Sequence, residues 1–303
     1  MIGGVLMKKP VAAQETLLHK RKRNPIMPYL FLIPVIVSLS MFTFYPFLRS
    51  IYLTFFVTDR LGTPAAFVGF KNYVKLIENG KLLESVRDTL RYASLIGVGT
   101  FSLAMVLAYL CVDKLPGSRV YQTMFSMPLA IATAPIAAVG SYIFGKYGML
   151  NDLLGLDLNW LGNDATKIWC LVGLVCWCNC GSSFIYLLVG FRNVPDDLIE
   201  CANLDGANSI TKFFKIYLPI ASPQVFYVVF LNILTSFKSF TMIKMLFGTN
   251  EDGLKVLNSQ IYQNGIIQSR FETACVYSLA LCLLIFLVTR IQFILEKRMV
   301  HYQ

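Results

Sequence analysis

The chain has 303 residues, 56% of them hydrophobic and 15% charged, with 27 basic against 17 acidic side chains and a formal net charge of +10. A mean hydropathy of +0.59, with 23 Phe, excludes a disordered chain and a nucleic-acid-binding module despite the basic balance. The bilayer is the solvent that suits this composition, and the excess charge belongs at membrane surfaces.

Residues 1–26 form a basic tail with Lys8, Lys9, Lys20, Arg21, Lys22 and Arg23; Met7, just before Lys8 and Lys9, reads as an alternative start. The apolar stretch that follows is too long for a signal peptide, and no small-residue cleavage site precedes Arg49, so it reads as a retained anchor. A helix needs about 17–25 mostly apolar residues to cross the hydrocarbon core. Six windows qualify: 27–48, 92–111, 121–144, 168–190, 225–247 and 274–294, the fifth carrying Lys238 and Lys244.

Basic residues set the orientation. With the N-terminus in the cytoplasm, Lys114, Arg119, Arg192, Lys212, Lys215, Arg290, Lys297 and Arg298 also fall inside, and six spans bring both termini to that side. The segment 50–88 then lies outside as a small cap, its basic residues nearly balanced by Asp59, Glu78, Glu84 and Asp88. Within it, residues 72–77 have the spacing of a short amphipathic helix. No repeat of 20–50 residues is visible, so 27–298 reads as one all-α membrane domain, with 299–303 a cytoplasmic end.

The loop at about 191–219 is the most informative stretch. Pro195 ends the incoming helix, Asp197 with Glu200 three positions on forms a capping-box pattern, Asp205 and Gly206 supply a turn, and Pro219 starts span five. Small Cys201 and Ala202 let this helix seat closely in a partner's groove, and Glu200 offers a carboxylate to basic residues there.

At these residues the chain resembles the permease subunits of binding-protein-dependent ABC importers, whose signature is Glu-Ala-Ala, three residues, Gly, nine residues, then Ile-x-Leu-Pro. Glu200, Cys201, Ala202, Gly206, Ile216, Leu218 and Pro219 stand at that spacing, with Cys201 in place of the first alanine. The resemblance covers nearly the whole chain and points to the carbohydrate branch, related to maltose, multiple-sugar and glycerol-3-phosphate permeases. The stretches 67–73 and 148–151, and Asn159, Trp160 and Leu161, are similar to outer loops of that branch. Ser236, Phe237 and Phe240 are similar to its Ser-Phe-x-x-Phe segment, whereas Thr241 and 247–251 depart from the usual continuation.

The resemblance implies a type I ABC importer permease of six transmembrane helices in the cytoplasmic membrane of a bacterium. Its partners would be a second homologous permease, two cytoplasmic ATPase subunits, an extracytoplasmic solute-binding protein and membrane lipid, with no nucleic acid. ATP and Mg would be bound by the ATPase, leaving no cofactor in this chain. Coupling to the ATPase would fall to Glu200, Cys201, Ala202, Asp205, Gly206, Leu218 and Pro219. A sugar or oligosaccharide is the expected solute; glycerol-3-phosphate or another organic anion is the alternative, which Lys238 and Lys244 would suit.

In span five Asn232, Ser236 and Ser239 recur at i, i+4 and i+7 and share one helical face, with Thr235 and Lys238 beside it. Such a stripe either lines a watery path or holds helices together. On the first reading Asn232, Ser236, Lys238, Ser239 and Thr241 line the substrate path. Lys244 reaches the outer membrane edge.

The eight cysteines read as reduced, buried small hydrophobes, except Cys201 in its polar loop. Cys176, Cys178 and Cys180 are spread around a helix by about 200° per step, unlike zinc ligands. Residues 140–147 imitate a P-loop but end in Tyr147, and His19 and His301 lie in opposite tails. An intramembrane enzyme would need paired acids, a Ser/His pair or a metal cluster in the spans, and the sequence offers none; a receptor is a third class.

Overall fold

The computed structural model describes residues 27–113, 117–238, 240–248 and 254–299. The basic tail 1–26, residues 114–116 with Lys114, Ser239, residues 249–253 and the end 300–303 lie outside the described residues. The chain divides into two units, Met1–Arg49 and Ser50–Gln303.

In the first unit, α1 (Met27–Leu39) passes through a π-turn at Ser40–Phe44 into α2 (Tyr45–Leu53), which continues into the second unit. The run Tyr29–Leu53 is long and apolar enough to cross a membrane, and Pro34 lies within α1.

The second unit opens with the expected cap. Strands β1 (Phe56–Thr58) and β2 (Pro64–Phe67) pair antiparallel, and α3 (Lys71–Glu78) follows with Leu76 buried beneath it. Asn72 Nδ2 donates to the carbonyls of Thr54 and Phe56, both at 2.9 Å, and the Tyr73 hydroxyl to Thr54 Oγ1 at 2.8 Å, which pins α3 to the hairpin. In the hairpin turn the Asp59 carboxylate accepts from the Thr63 hydroxyl and the Leu61 and Thr63 amides. These bonds, the Thr63 hydroxyl first, hold that carboxyl below its ordinary value.

Helix α4 (Lys81–Leu110) begins at Lys81, inside the segment 50–88 and ahead of the apolar window 92–111. Its first three turns carry Lys81, Glu84, Arg87, Asp88 and Arg91, which a hydropathy window discards although they continue the helix. At 30 residues it is about 45 Å long.

The third window is not one straight helix. Helix α5 (Ser118–Ser126) runs through a 3₁₀ turn at Met127–Ala130, then Ile131 and Ala132 adopt extended backbone, and α6 (Thr133–Ile143) leaves at a bend of 99°. Extended residues interrupt the i to i−4 ladder, and Pro135 in the first turn of α6 gives up only an amide with no intrahelical partner. After α7 (Met149–Leu154), Asn151 ties the connection together: its Nδ2 donates to the carbonyls of Lys146 and Leu158, and its Oδ1 accepts from Trp160 Nε1, all at 2.7 Å.

Helix α8 (Lys167–Arg192) is the centre of the second unit and packs along α4. In lipid, helices associate by close backbone approach, and this pair is lined with small residues. Thr100, Ala104 and Ala108 recur every fourth residue with no exposure, and a Cβ on Gly99 would stand 2.8 Å from Cys176 Sγ. Cys176 Sγ lies 3.6 Å from the Ile96 carbonyl. The cysteines are free: Cys111, Cys170, Cys176 and Cys180 are buried as expected, whereas Cys201 and Cys282 are exposed and Cys178 and Cys275 half-buried.

Helix α9 (Asp196–Leu204) leads to α10 (Ser209–Lys212), a π-turn at Phe213–Tyr217 and α11 (Leu218–Ile220). A 79° bend at Ala221 then opens α12 (Ser222–Lys238). Pro219 therefore sits in the last turn before the bend, and α12 begins three residues after it and three before the window 225–247. The window 225–247 covers most of α12 and α13 (Phe240–Phe247). The Phe237 carbonyl near the end of α12 accepts from Asn258 Nδ2 at 2.5 Å, in α14 (Leu257–Tyr262). A π-turn at Gln263–Ile267 leads to α15 (Phe271–Met299). Four described helices are long and apolar enough to span a membrane, or six if each bent pair is one span.

Candidate functional site

The 200–206 loop is a short helix with a rigid end. Helix α9 starts at Asp196 with Pro195 as its N-cap residue, so Asp197 lies inside the first turn and does not cap it. The expected capping box is absent; Asp196 and Asp197 instead place negative charge at the helix N-terminus, where the backbone dipole favours it. The expected turn is present. Gly206 has φ +71°, its amide bonds to the Asn203 carbonyl at 3.1 Å, and the Ala207 amide reaches back to Ala202 at 2.9 Å. This is a Schellman motif, and it needs a residue tolerant of left-handed backbone at Gly206.

The next helix is fixed as firmly. Asn208 Oδ1 accepts from the Thr211 amide at 2.8 Å as an N-cap, and Lys212 Nζ donates to Asn203 Oδ1 at 2.9 Å, closing α10 onto α9. Asn208 and Ser209 are an N-cap pattern legible in the sequence that the reading above did not use. Ala202 is buried, while Glu200, Cys201 and Asp205 are exposed. Leu204 is 89% and Ile210 70% exposed, so the loop carries apolar as well as acidic side chains at its surface.

At the base of the loop four rings interlock. Tyr109 of α4 stands 4.8 Å from Phe213 and 5.5 Å from Tyr217 between ring centroids, and Phe191 of α8 stands 6.0 Å from each of those two. The Tyr109 hydroxyl donates to the Ser209 carbonyl at 2.6 Å. Leu218 is half-buried against the same cluster, and Pro219 is in the adjoining turn. The loop is thus attached to α4 and α8 at the end of α4 opposite the cap.

The span-five residues separate into two sets. Asn232 and Ser236 are 4% and 1% exposed, packed against α8 and α4. Ser183 Oγ donates to Asn232 Oδ1 at 3.0 Å, and Ser236 Oγ to the Asn232 carbonyl at 2.6 Å. Within the chain Asn232 thus links α12 to α8, and it also lines a cavity of about 300 Å³ with Gly97 and Phe101. Lys238 and Thr241 are exposed, on a face shared with Thr235, and Ser239 lies outside the described residues. Lys244 does not simply extend to the membrane edge; its Nζ donates to the Tyr262 hydroxyl at 2.8 Å and lies 4.1 Å from that ring's centroid.

The whole chain decides the family. Residues 11–301 match the family described as binding-protein-dependent transport system inner membrane component. The chain belongs to it. A permease of this family is a non-catalytic transport subunit of an ABC importer, embedded in the inner membrane by several helices. Among similar proteins, the probable ABC transporter permease protein YesP of Bacillus subtilis is 29% identical over 293 residues, which covers 93% of this chain and 94% of that one. The sn-glycerol-3-phosphate transport system permease protein UgpA of Yersinia enterocolitica is 28% identical over 284 residues, covering 91% and 96%. The fold is that of a permease in the crystal structure of a bacterial alginate ABC transporter in complex with alginate pentasaccharide-bound periplasmic protein, with a TM-score of 0.79 at 18% identity over 90% of this chain and 94% of that one.

Proposed function

We propose that this permease is one of two that form the membrane path of an importer for a sugar or oligosaccharide, with both termini in the cytoplasm and the cap outside. Names among the similar proteins support a carbohydrate or sugar-like solute: one is named for sn-glycerol-3-phosphate, and the permease of like fold comes from an alginate transporter. In this reading a solute-binding protein delivers the substrate at the cap end. Two separate ATPase subunits bind ATP and Mg and take the 200–206 loop in a groove.

The observation that carries this reading is the construction of the loop. A solvated connector needs no exposed Leu204 and Ile210, and burying them against a partner is favourable. Glu200 and Asp205 supply the charges that set register on a basic groove. Because the Schellman turn, the Asn208 cap and the Lys212 bond make the loop stiff, movement of the ATPases is passed to the four-ring cluster and so to α4 and α8. The consequence is a change between outward and inward access, driven by differential binding of the two states. Substrate passes along the exposed face of span five that bears Thr235, Lys238 and Thr241, which the second permease closes.

Glu200→Lys tests the proposal, because it sets a cation against a basic groove while leaving the turn intact. ATPase assembly, substrate-stimulated hydrolysis and uptake should all fall with membrane insertion unchanged. Normal values for all three would remove the coupling assignment.

A further inference from the structure

At the cap end of the second unit a cavity of about 770 Å³ opens between α3, the start of α4, α13, α14 and the start of α15. That volume suits a ligand of a few sugar rings. Its wall carries five cationic side chains among the described residues, Lys75, Lys81, Lys244, Lys255 and Arg270, against two acids, Glu84 and Glu272. Both acids are engaged: Lys255 bonds Glu84 at 3.2 Å, and Glu272 accepts from the Thr58 hydroxyl at 2.5 Å. Lys75, Lys81, Lys244 and Arg270 have no acidic partner among the described residues, and Lys244 is held by the neutral Tyr262 hydroxyl.

The rest of the wall is built for hydroxyl groups. Asn79, Gln260, Gln263 and Gln268 present amides that both donate and accept. Ser259 Oγ is buried without a hydrogen-bond partner among the described residues, and a buried polar atom in that condition favours an incoming group that pairs with it. Lysines and amides held around a concave wall recognise a compact anion with several hydroxyls. They do not recognise an apolar solute, and a neutral sugar accepts hydrogen bonds from the cations but does not answer their charge.

We propose that this cavity is a subsite for an acidic carbohydrate, a sugar bearing carboxylate groups, occupied at the mouth of the importer before the substrate reaches the face of span five. The proposal rests on the importer reading above and narrows its substrate class. A peptide loop of the binding protein bearing acidic side chains is the competing occupant. The carbohydrate is favoured by the concave wall and by the amides it carries.

The test uses the assembled importer in lipid nanodiscs without binding protein. Equilibrium binding is measured for an alginate trisaccharide and for the same trisaccharide with its carboxyl groups reduced to alcohols. The acidic probe should bind at least roughly tenfold more tightly, the worth of one charge-assisted hydrogen bond, and should weaken as salt is raised. The double variant Lys75→Gln/Arg270→Gln replaces two exposed side chains, so folding is not at risk, and it should erase that preference without weakening the neutral probe. Equal affinity for the two probes in the parent, or an unchanged preference in the variant, would overturn the subsite. So would a variant that keeps trisaccharide binding but no longer docks the binding protein, since the basic wall would then serve a protein loop. Failure of the importer reading looks different: ATP hydrolysis would then not respond to loaded binding protein in the parent complex either.

Discussion

The Ser183 hydroxyl donates to Asn232 Oδ1 at 3.0 Å, joining α8 to α12 where both side chains are buried. A polar pair inside an apolar bundle acts as a local clasp, because either group alone would face neighbours that cannot hydrogen-bond. One turn on, Ser236 lies against α4, where a Cβ on Gly97 would come within 3.9 Å of its hydroxyl.

Ser236→Phe should therefore lower the yield of assembled complex, because a ring has no room between α12 and α4 and overpacking typically costs about 1–3 kcal/mol. Ser236→Ala should lose about 0.6 kcal/mol, an average membrane hydrogen bond, and keep uptake. Complex yield after detergent extraction, set beside uptake, separates this from a blocked path. Full assembly of Ser236→Phe with no uptake would restore the path reading for this residue.

Gly206→Ala should destabilise the loop by about 1–2 kcal/mol, the strain of an L-residue in left-handed backbone. The cause is conformational alone, since a Cβ there meets nothing within 4 Å. Gly206→Asn should lose less, as Asn tolerates that region better. Protease sensitivity at 200–210 and retention of the ATPase on the purified permease are the readouts, and Ala should be worse than Asn in both.

Tyr109→Leu removes the ring that meets Phe213 and Tyr217 and the bond to the Ser209 carbonyl. Hydrolysis should continue while transport per ATP falls, because the ATPase still binds the loop but the loop no longer moves α4 with it. The ratio of solute imported to ATP hydrolysed is the measurement, and Tyr109→Phe, which keeps the ring, should recover most of it.

The cap and the loop sit at opposite ends of α4, about 45 Å apart. If the cap is outside, Lys71→Cys in a cysteine-free background should react with an impermeant thiol reagent in intact cells. Reaction only in broken cells would invert the topology.

The sequence made the number of apolar windows, the amphipathic α3 and the Gly206 turn legible, because each depends on local composition or on one residue's backbone freedom. Helix ends were not legible by hydropathy: Lys81 to Arg91 continue α4 as a polar, solvent-facing extension that an apolar window rejects. The bends at Ile131 and Ala221 depend on backbone conformation at one or two residues, which no periodicity records. The path residues were not separable by pattern for a further reason. A polar stripe faces away from lipid either toward water or toward a neighbouring helix, and the sequence does not record that Ser183 stands opposite Asn232. The basic cavity was invisible to the sequence because Lys75, Lys244 and Arg270 come from three distant segments.

The coupling claim is tested most directly at Cys201, which stands exposed on α9 beside Glu200. A permease carrying Lys71→Cys in the cap is treated with a maleimide, alone and in complex with its ATPase subunits, and modification of the Cys201 peptide is quantified by mass spectrometry with the thiol introduced at position 71 as the internal reference. Seating the loop in the ATPase groove predicts rapid labelling of Cys201 in the isolated permease and strong protection in the complex, with the rate at position 71 unchanged. Equal labelling of Cys201 in both preparations, with the ATPase shown to be bound, would contradict it.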